Sequence, residues 1–195
     1  MPQLIGLVLA GGGGHRLGRS KGNLEIDGMT LAERAARVLH PLCGSVLISV
    51  APGAANPAPT HTSVEDEEPA GRGPLAGIAT AFATTGQADL LVLACDYPKV
   101  GQRLLQTVVA ASGAGNDLAI VTDRRGRDHP LVGVWRRSAE RHVRDALEDR
   151  IYKVRALLSR VELRRVGPVD LVGFDLDDVL VNVNTAADLK SLETS

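Results

Sequence analysis

Runs of apolar residues separated by amphipathic segments form the main pattern along this 195-residue chain. Three of the runs are apolar at nearly every position, which is typical of strands buried on both faces of a parallel sheet. They are Leu4 to Leu9, Val46 to Val50 and Leu90 to Ala94. Shorter runs predict further strands, namely one ending at Val64, Leu118 to Val121, Leu131 to Trp135, and Val179 to Val183.

Capping residues and amphipathic segments predict the helices that connect these strands. Thr30 and Glu33 form the Thr-x-x-Glu pattern of a capping box, which predicts a helix from Leu31 to Leu39. Pro74 suits the first position of a helix that reaches about Ala83. Three more helices are predicted, covering Gln102 to Ala111, Ala139 to Leu147, and a short segment after the last strand.

The alternation of strands and helices defines the expected fold class. It predicts βαβ units, and therefore a three-layer α/β/α fold of the Rossmann type with a mostly parallel central sheet. Residues 1–195 are expected to form a single domain, because the chain is short and shows no linker or repeat. Ligands of such folds bind at the carboxyl ends of the strands, so functional residues are expected there.

Composition and charge exclude several classes of protein. Hydrophobic residues make up 44% and charged residues 23% of the chain, which provides enough apolar side chain for a core and argues against disorder. The 22 basic and 23 acidic residues give a net charge of −1, so no overall field attracts nucleic acid or an anionic membrane. Aromatic residues, at 3%, are too few for a surface that stacks single-stranded bases. The first residues lack the basic segment of a signal peptide, and a cytoplasmic location is expected.

A glycine cluster follows the first predicted strand and is itself followed by basic residues. Gly11 to Gly14 would let successive backbone N–H groups turn toward an anion, and Arg16 and Lys21 add positive charge. A Walker A loop is excluded because the chain has no Gly-Lys pair, and the dinucleotide-binding fingerprint fails at its last glycine. The loop is therefore predicted to bind a polyphosphate, and a merely tight turn is the alternative.

Asp96 lies just past the third buried run, in the sequence Cys95-Asp96-Tyr97-Pro98. A carboxylate at that edge of the sheet supplies the hard oxygen ligand that Mg²⁺ prefers. Asp96 is therefore predicted to hold Mg²⁺ against phosphate oxygens. The alternative is that it caps the turn that follows the strand.

A further wall of the site is predicted from Asp66 and from the start of the helix at Pro74. Asp66 directly follows a short predicted strand, and Gly73-Pro74 opens a helix whose first N–H groups can face a ligand. Together these features predict one side of a nucleotide pocket. The alternative for the acidic run from Glu65 to Glu68 is a solvated loop.

Five short motifs occur in the order found in one known family. They are Leu9-Ala10-Gly11-Gly12 with Arg16, Gly18 and Lys21; Glu65-Asp66 before Gly73-Pro74-Leu75-Ala76-Gly77; Cys95-Asp96-Tyr97-Pro98; His129-Pro130; and Val181-Asn182-Val183-Asn184-Thr185. In these motifs, which span nearly the whole chain, the sequence resembles the molybdenum cofactor guanylyltransferases, nucleotidyltransferases with a glycosyltransferase-A type fold. It departs from the family pattern at Ser20, where aspartate is frequent, and at Ser49, where asparagine is frequent.

The resemblance implies a reaction and a set of site residues. The expected enzyme transfers GMP from GTP to the terminal phosphate of molybdopterin carrying molybdenum, depends on Mg²⁺, and passes its product to molybdoenzymes or their chaperones. The expected catalytic residues are Lys21, Arg16 and Asp96, with Asp96 as the magnesium ligand. The expected nucleotide-binding residues are Leu9, Ala10, Gly11, Gly12, Gly13, Lys21, Ser49, Asp66, Gly73, Pro74 and Asp96. The expected substrate-pocket residues are His129, Asn182 and Asn184.

Two groups of basic residues are further candidates for the anionic pterin phosphate. They are Arg124, Arg125 and Arg127, and, farther along the chain, Lys153 and Arg155. The alternative is that they are ordinary solvated surface residues.

Two other interpretations stay open from the sequence. A molybdopterin cytidylyltransferase or a sugar-phosphate nucleotidyltransferase would use the same fold with another nucleotide or acceptor. Leu9-Ala10-Gly11-Gly12 favours guanine, because cytidylyltransferases usually carry Leu-Ala-Ala-Gly. The other interpretation is a nucleotide-binding adaptor without turnover, against which the presence of both Lys21 and Asp96 argues.

Overall fold

The computed structural model describes residues 3–11, 21–66, 73–183 and 188, in which strands and helices alternate. The strands are β1 (Leu4–Leu9), β2 (Glu25–Ile26), β3 (Met29–Thr30), β4 (Val46–Val50), β5 (Thr62–Glu65), β6 (Asp89–Ala94), β7 (Leu118–Thr122), β8 (Asp128–Trp135) and β9 (Leu163–Val166). The α-helices are α1 (Leu31–Leu39), α2 (Pro74–Thr85), α3 (Gln102–Ala111), α4 (Ala139–Glu148), α5 (Val154–Leu157) and α6 (Leu176–Val179). Short 3₁₀ helices cover Lys21–Asn23, His40–Leu42 and Leu158–Arg160.

Seven of the described strands form one sheet in the order β5-β4-β1-β6-β8-β7-β9, and β2 and β3 form a separate small hairpin. Neighbouring strands of the large sheet are parallel except where β8 is involved, since β8 runs antiparallel to both β6 and β7. β1 therefore lies between two parallel neighbours, as its nearly continuous apolar sequence predicts. The predicted α/β fold with a mostly parallel sheet is confirmed.

Helices cover both faces of the sheet, because side chains that alternate along each strand belong to two separate apolar clusters. On β1, Val8 packs in the cluster that includes α1 and α3, whereas Leu7 packs in the cluster that includes α2 and α4. Each cluster contains large, fully buried side chains, such as Leu39 in the first and Phe82 in the second. The described residues thus form helix, sheet and helix layers.

Capping residues set the helix starts at the predicted positions. The backbone N of Glu33 donates to Oγ1 of Thr30 at 3.0 Å, and α1 covers the predicted range. α2 begins at Pro74 as predicted and extends to Thr85. α3 also covers its predicted range.

The predicted strand from Val179 to Val183 is wrong. Val179 is the last residue of α6, and residues 181–183 pair with no strand in the described part of the chain. Asp175 explains the helix, because its carboxylate accepts hydrogen bonds from two backbone N–H groups of the first turn. The chain then reaches the sheet edge, where the backbone N of Val183 donates to the carbonyl oxygen of Asp96 at 2.8 Å. The short helix predicted beyond this run lies almost entirely outside the described residues.

The helices that the structure describes are short. The longest of them, α2, has 12 residues, whereas a helix that spans a bilayer needs about 20 apolar residues. None of the described helices is therefore long and apolar enough to cross a membrane.

Candidate functional site

Three parallel strands end side by side at one edge of the sheet and bring the predicted site residues together. In the sheet register, Leu9 of β1 lies beside Ser49 of β4 on one side and Ala94 of β6 on the other. The backbone N of Ala10 continues the pairing and donates to the carbonyl oxygen of Ser49 at 3.0 Å. Because neighbouring strands are about 4.8 Å apart, roughly 10 Å separates the ends of β4 and β6. Residues at these two ends therefore flank the start of the glycine-rich loop.

Lys21 lies next to Asp96, although 75 positions separate them in the sequence. Nζ of Lys21 is 3.4 Å from Oδ2 of Asp96, and the two side chains are only 19% and 20% exposed. The turn that begins at Lys21 is held against β1 by Gly22. A Cβ atom at Gly22 would lie 2.9 Å from Cβ of Ala10 and 3.1 Å from Cγ of Pro57. This close approach brings the lysine to the carboxylate.

The second carboxylate oxygen of Asp96 lacks a hydrogen-bond partner within the described part of the chain. Oδ1 is buried, and no donor among the described residues reaches it. Burial raises the pKa of Asp96 above its usual range, and the charge of Lys21 offsets this only in part. A buried anionic oxygen without a donor fits Mg²⁺, which proteins bind through one or two carboxylates together with substrate phosphates. The described residues contain no group of three or more His, Cys, Asp or Glu side chains that could hold a metal ion.

The raised pKa of Asp96 predicts that this carboxylate destabilises the fold at neutral pH. As the pH rises from the ordinary value of 3.8 through the higher folded-state pKa, the unfolded chain releases its proton first, and the folded state loses stability. We therefore expect Asp96→Asn to raise the free energy of unfolding at neutral pH, with a gain that shrinks as the pH approaches 3.8. Urea denaturation at a series of pH values measures this gain. A variant that is less stable than the wild type at neutral pH would contradict the expectation.

Ser49 and Asp66 form a second polar contact on the other side of β1. Oγ of Ser49 donates to Oδ1 of Asp66 at 2.5 Å, and Ser49 is only 1% exposed. The backbone N of Asp66 donates to the carbonyl oxygen of Val50 at 2.8 Å, which holds the residue just past β5. Burial raises the pKa of Asp66, and the hydrogen bond from Ser49 lowers it in part. The serine therefore fixes one oxygen of this carboxylate.

Two glycines leave room for the Asp66 carboxylate. At Gly11, a Cβ atom would lie 2.9 Å from Oδ2 of Asp66 and 3.1 Å from the backbone N of Ala51. At Gly77, in α2, a Cβ atom would lie 2.8 Å from Oδ1 of Asp66 and still closer to Oγ of Ser49. The missing side chains thus let the end of β1 and the first turns of α2 approach the carboxylate from two sides.

We expect Gly77→Ala to displace the Asp66 carboxylate and to weaken nucleotide binding. The added methyl group would push the Ser49 hydroxyl away and leave a buried carboxylate oxygen without its donor, which costs about 1–3 kcal/mol. A comparable loss in binding free energy corresponds to an affinity about 5-fold to 150-fold weaker. Titration with nucleotide and urea denaturation measure the two effects.

Gly167→Ala is the matched control for this substitution, because a Cβ atom there meets no atom within 4 Å. We expect wild-type affinity and stability for this control. If Gly77→Ala behaved like Gly167→Ala in both measurements, the close packing around Asp66 would have no functional role.

The N-terminus of α2 lies close to the same edge of the sheet. Gly73, which precedes the helix, has a φ of +69°, and a Cβ atom there would lie 3.1 Å from the carbonyl oxygen of Tyr152. Pro74 occupies the first turn, where its missing N–H group is not needed. The partial positive charge of this helix end favours an anion nearby.

His129 lies in a hydrogen-bonded chain with Tyr97 and Asp123. Nδ1 of His129 is 3.1 Å from Oη of Tyr97, and Nε2 is 3.3 Å from Oδ2 of Asp123. Burial lowers the pKa of His129, which favours the neutral ring, and burial raises the pKa of Tyr97 to about 12. Because Tyr97 directly follows Asp96, these hydrogen bonds link the sheet edge to β8.

A cavity of about 330 Å³ lies beside Tyr97 and the start of α2. Apolar and aromatic parts of its wall come from Pro74, Tyr97 and Pro130. Its basic side chains are Arg127, Lys153 and Arg155. The cavity thus combines an apolar wall with positive charge.

A family model matches the segment that carries these features. The description of that model is MobA-like NTP transferase domain, and it matches residues 6–166. The chain belongs to the MobA-like NTP transferase family. The matched segment includes both polar contacts at the sheet edge, namely Ser49 with Asp66 and Lys21 with Asp96.

Similar proteins support the assignment of this chain to the MobA-like NTP transferase family. A protein named "probable molybdenum cofactor guanylyltransferase" from Pelotomaculum thermopropionicum is 31% identical over 191 residues, which cover 97% of this chain and 91% of the relative. The crystal structure of molybdopterin-guanine dinucleotide biosynthesis protein A from Archaeoglobus fulgidus has a TM-score of 0.78 at 23% identity and covers 97% of both chains. The structure of 2-C-methyl-D-erythritol 4-phosphate cytidylyltransferase from Thermus thermophilus has a TM-score of 0.69 at 17% identity, covering 100% of this chain and 98% of the other. The similarity to these two solved structures agrees with the predicted three-layer α/β/α fold with a mostly parallel sheet.

Most of the predicted site residues of the MobA-like transferase lie at or beside this sheet edge. Those that the structure describes there are Leu9, Ala10, Gly11, Lys21, Ser49, Asp66, Gly73, Pro74 and Asp96. Asn182 is half-buried and precedes Val183, whose backbone contacts Asp96. The remaining predicted residues, Gly12, Gly13, Arg16 and Asn184, lie outside the described residues.

Sequence reasoning assigned no role to Gly77, Tyr97 or Asp123. Both Gly77 and Tyr97 lie inside family motifs. The motif Gly73 to Gly77 could have pointed to Gly77, and the motif Cys95 to Pro98 could have pointed to Tyr97. Nothing in the sequence singles out Asp123, because its contact with His129 depends on how the hairpin of β7 and β8 folds.

Proposed function

We propose that this MobA-like NTP transferase transfers GMP from GTP to the terminal phosphate of molybdopterin carrying molybdenum. The products would be the guanine dinucleotide form of the cofactor and pyrophosphate. The observation that carries the proposal is the pair of Lys21 and Asp96 beside the end of β1, with one Asp96 oxygen left for a cation. The name of the relative at 31% identity supports guanine and the molybdenum cofactor as the substrate classes.

The proposed reaction requires alignment and charge neutralisation from the protein. An oxygen of the acceptor phosphate attacks the α-phosphorus of GTP, a new phosphorus–oxygen bond forms, and the bond to the bridging oxygen of pyrophosphate breaks. The acceptor phosphate is anionic near neutral pH, so no serine, cysteine or histidine nucleophile is required. The protein must hold the two phosphates in line and neutralise the charge on the leaving pyrophosphate.

Lys21 and Asp96 have complementary roles in this proposal. Nζ of Lys21 would donate to phosphate oxygens of GTP, and the predicted contacts of Arg16 and the loop N–H groups would add to this. Oδ1 of Asp96 would hold Mg²⁺, which supplies positive charge beside the phosphates when it is bound. The short distance between the two side chains supports action on one nucleotide.

Asp66 supports guanine as the base. Ser49 donates to Oδ1, while Oδ2 faces the backbone at Gly11, next to the end of β1. A carboxylate can accept two N–H donors side by side, and guanine presents such a pair on its ring N–H and its amino group. The Watson–Crick edge of cytosine has one amino donor next to acceptors, which a carboxylate would repel.

The product formed with each nucleotide tests the proposed function. Purified protein would be incubated with Mg²⁺, with either GTP or CTP, and with either molybdopterin plus molybdate or a sugar phosphate as acceptor. Nucleotide binding, product mass and pyrophosphate release would be measured. We expect the guanine dinucleotide with GTP and no product with CTP. Three other outcomes would contradict the proposal. A cytosine dinucleotide would identify a cytidylyltransferase, and transfer only to a sugar phosphate would identify a sugar-phosphate nucleotidyltransferase. Tight GTP binding without any product would identify an adaptor.

We further infer the setting in which the product is used. A labile pterin product favours direct transfer to molybdoenzymes or their chaperones in the cytoplasm. Two apolar clusters on opposite faces of one sheet support a single-domain organisation of residues 1–195.

A further inference from the structure

The cavity beside Tyr97 adjoins the proposed transfer site without being part of it. Its wall includes Tyr97, which directly follows Asp96, and Pro74, the first residue of α2. Neither Lys21 nor Asp96 lines it. Its volume of about 330 Å³ lies within the range of small-molecule sites, about 300–1,000 Å³. A second ligand can therefore bind there while a nucleotide lies against Lys21 and Asp96.

Three basic side chains give this cavity a positive charge. Arg127 comes from the hairpin of β7 and β8, and Lys153 and Arg155 come from the start of α5. Arg155 donates to the carbonyl oxygen of Asp128 at 3.1 Å, and none of the three basic side chains forms a salt bridge with a carboxylate of the described residues. The carboxylate of Asp128, which also lines the cavity, is instead paired with Arg165 at 3.0 Å. Among the described lining residues three side chains are basic and one is a carboxylate that pairs with Arg165, so an anion in the cavity would meet a net positive charge.

A hydrogen-bonded chain sets the direction in which the Tyr97 hydroxyl points. Oδ1 of Asp123 accepts from the backbone N of Arg125 at 2.8 Å and of Arg127 at 2.9 Å, while Oδ2 faces Nε2 of His129. An ionised carboxylate only accepts, so Nε2 carries the proton of the neutral His129 ring. Nδ1 then accepts from the hydroxyl of Tyr97. The oxygen of Tyr97, a residue that lines the cavity, keeps lone pairs that can accept a further hydrogen bond.

We propose that this cavity binds the acceptor of the transfer reaction, a phosphate monoester attached to a heterocycle with N–H groups. The phosphate would lie against Arg127 and Lys153, and an N–H group of the heterocycle would donate to the oxygen of Tyr97. His129 and Asp123 are positioning residues, because they act through Tyr97. This inference rests on the proposed function and assigns its second substrate to a separate pocket.

Calorimetric titration with two probes tests the phosphate contact. The probes are 6-hydroxymethylpterin monophosphate and 6-hydroxymethylpterin, which differ only in the phosphate. We expect the wild type to bind the phosphorylated probe about tenfold more tightly or better, as hydrogen bonds to charged groups imply. Arg127→Gln combined with Lys153→Gln, which keeps much of the side-chain volume, should remove this preference and leave the affinity for GTP with Mg²⁺ within about twofold.

A control and a mutant cycle separate direct contacts from general structural effects. Arg37→Gln removes a cation from α1, in the helix layer on the opposite face of the sheet from α2, and should behave like the wild type. Tyr97→Phe and His129→Ala should each weaken both probes by about three- to tenfold. The variant that combines Tyr97→Phe with His129→Ala should lose no more probe affinity than either single variant, because His129 acts through Tyr97.

Three results would overturn the assignment of this cavity. The first is equal wild-type affinity for both probes, and the second is an unchanged preference in the double glutamine variant. The third is weaker binding of GTP in that variant, which would assign the cations to the nucleotide. Failure of the proposed function has a different signature, since it appears as absence of the guanine dinucleotide in the product assay.

Discussion

Asp96→Ala is expected to lower turnover by about 100-fold to 1,000-fold in a protein that remains folded. The substitution removes the buried oxygen Oδ1, which we propose holds Mg²⁺, and it also removes the partner of Lys21. The backbone contact to Val183 involves the carbonyl oxygen of residue 96 and is kept. Because burial raises the pKa of Asp96, loss of this carboxylate should not unfold the protein. Initial rates of dinucleotide formation over a range of Mg²⁺ concentrations, together with circular dichroism, measure both expectations.

Asp149→Ala is the matched control for the loss of a carboxylate. Asp149 is 55% exposed and pairs with Arg160 at 2.6 Å rather than with Lys21. Surface pairs of this kind contribute about 0–1 kcal/mol, so we expect wild-type turnover. A folded Asp96→Ala protein that turns over as fast as Asp149→Ala would refute the assignment of Asp96 as a metal ligand.

Lys21→Ala is expected to lower kcat/KM for GTP by a similar factor, about 100-fold to 1,000-fold. Nζ of Lys21 would donate to charged phosphate oxygens. Because the side chains of Lys21 and Asp96 are both largely buried, water would replace the lost ammonium group poorly. The carboxylate of Asp96 stays in this variant. We therefore expect the Mg²⁺ concentration for half-maximal rate to change little, in contrast to Asp96→Ala. Steady-state kinetics with GTP and Mg²⁺ varied separately distinguish the two variants.

Lys99→Ala provides the control for the loss of a lysine near the same sheet edge. Lys99 lies three positions after Asp96 in the sequence but pairs with Asp178. We expect this variant to keep wild-type kcat/KM for GTP. Equal activity of Lys21→Ala and Lys99→Ala would remove Lys21 from the proposed chemistry.

Much of the fold could be predicted because local sequence and tertiary packing favour the same structure. The continuous apolar runs of β1, β4 and β6 indicated central parallel strands, and the capping box at Thr30 located α1. The prediction failed at Val179 to Val183, because this run begins at the last residue of a helix that Asp175 caps. There the local hydrogen bonds of the cap determine the structure, and the apolar pattern alone does not reveal them.

The strand ends of the candidate site were predictable, whereas contacts across the sheet edge were not. Asp66 and Asp96 follow strands, and the fold class places such residues at the ligand-binding edge. The close approach of Gly77 to Ser49 depends on the exact position of α2 against the sheet. The hydrogen bond between Tyr97 and His129 likewise depends on the pairing of β8 with β6, which joins segments far apart in sequence.

A crystal structure with a non-hydrolysable GTP analogue and Mn²⁺ tests most directly whether Lys21 and Asp96 act on one metal-bound nucleotide. Mn²⁺ would replace Mg²⁺, whose oxygen ligands lie at about 2.1 Å, and anomalous scattering would locate it. We expect the metal within coordination distance of an Asp96 carboxylate oxygen and a phosphate oxygen of the same nucleotide about 3 Å from Nζ of Lys21. A nucleotide bound away from Lys21, or a metal that does not touch Asp96, would contradict the proposed chemistry.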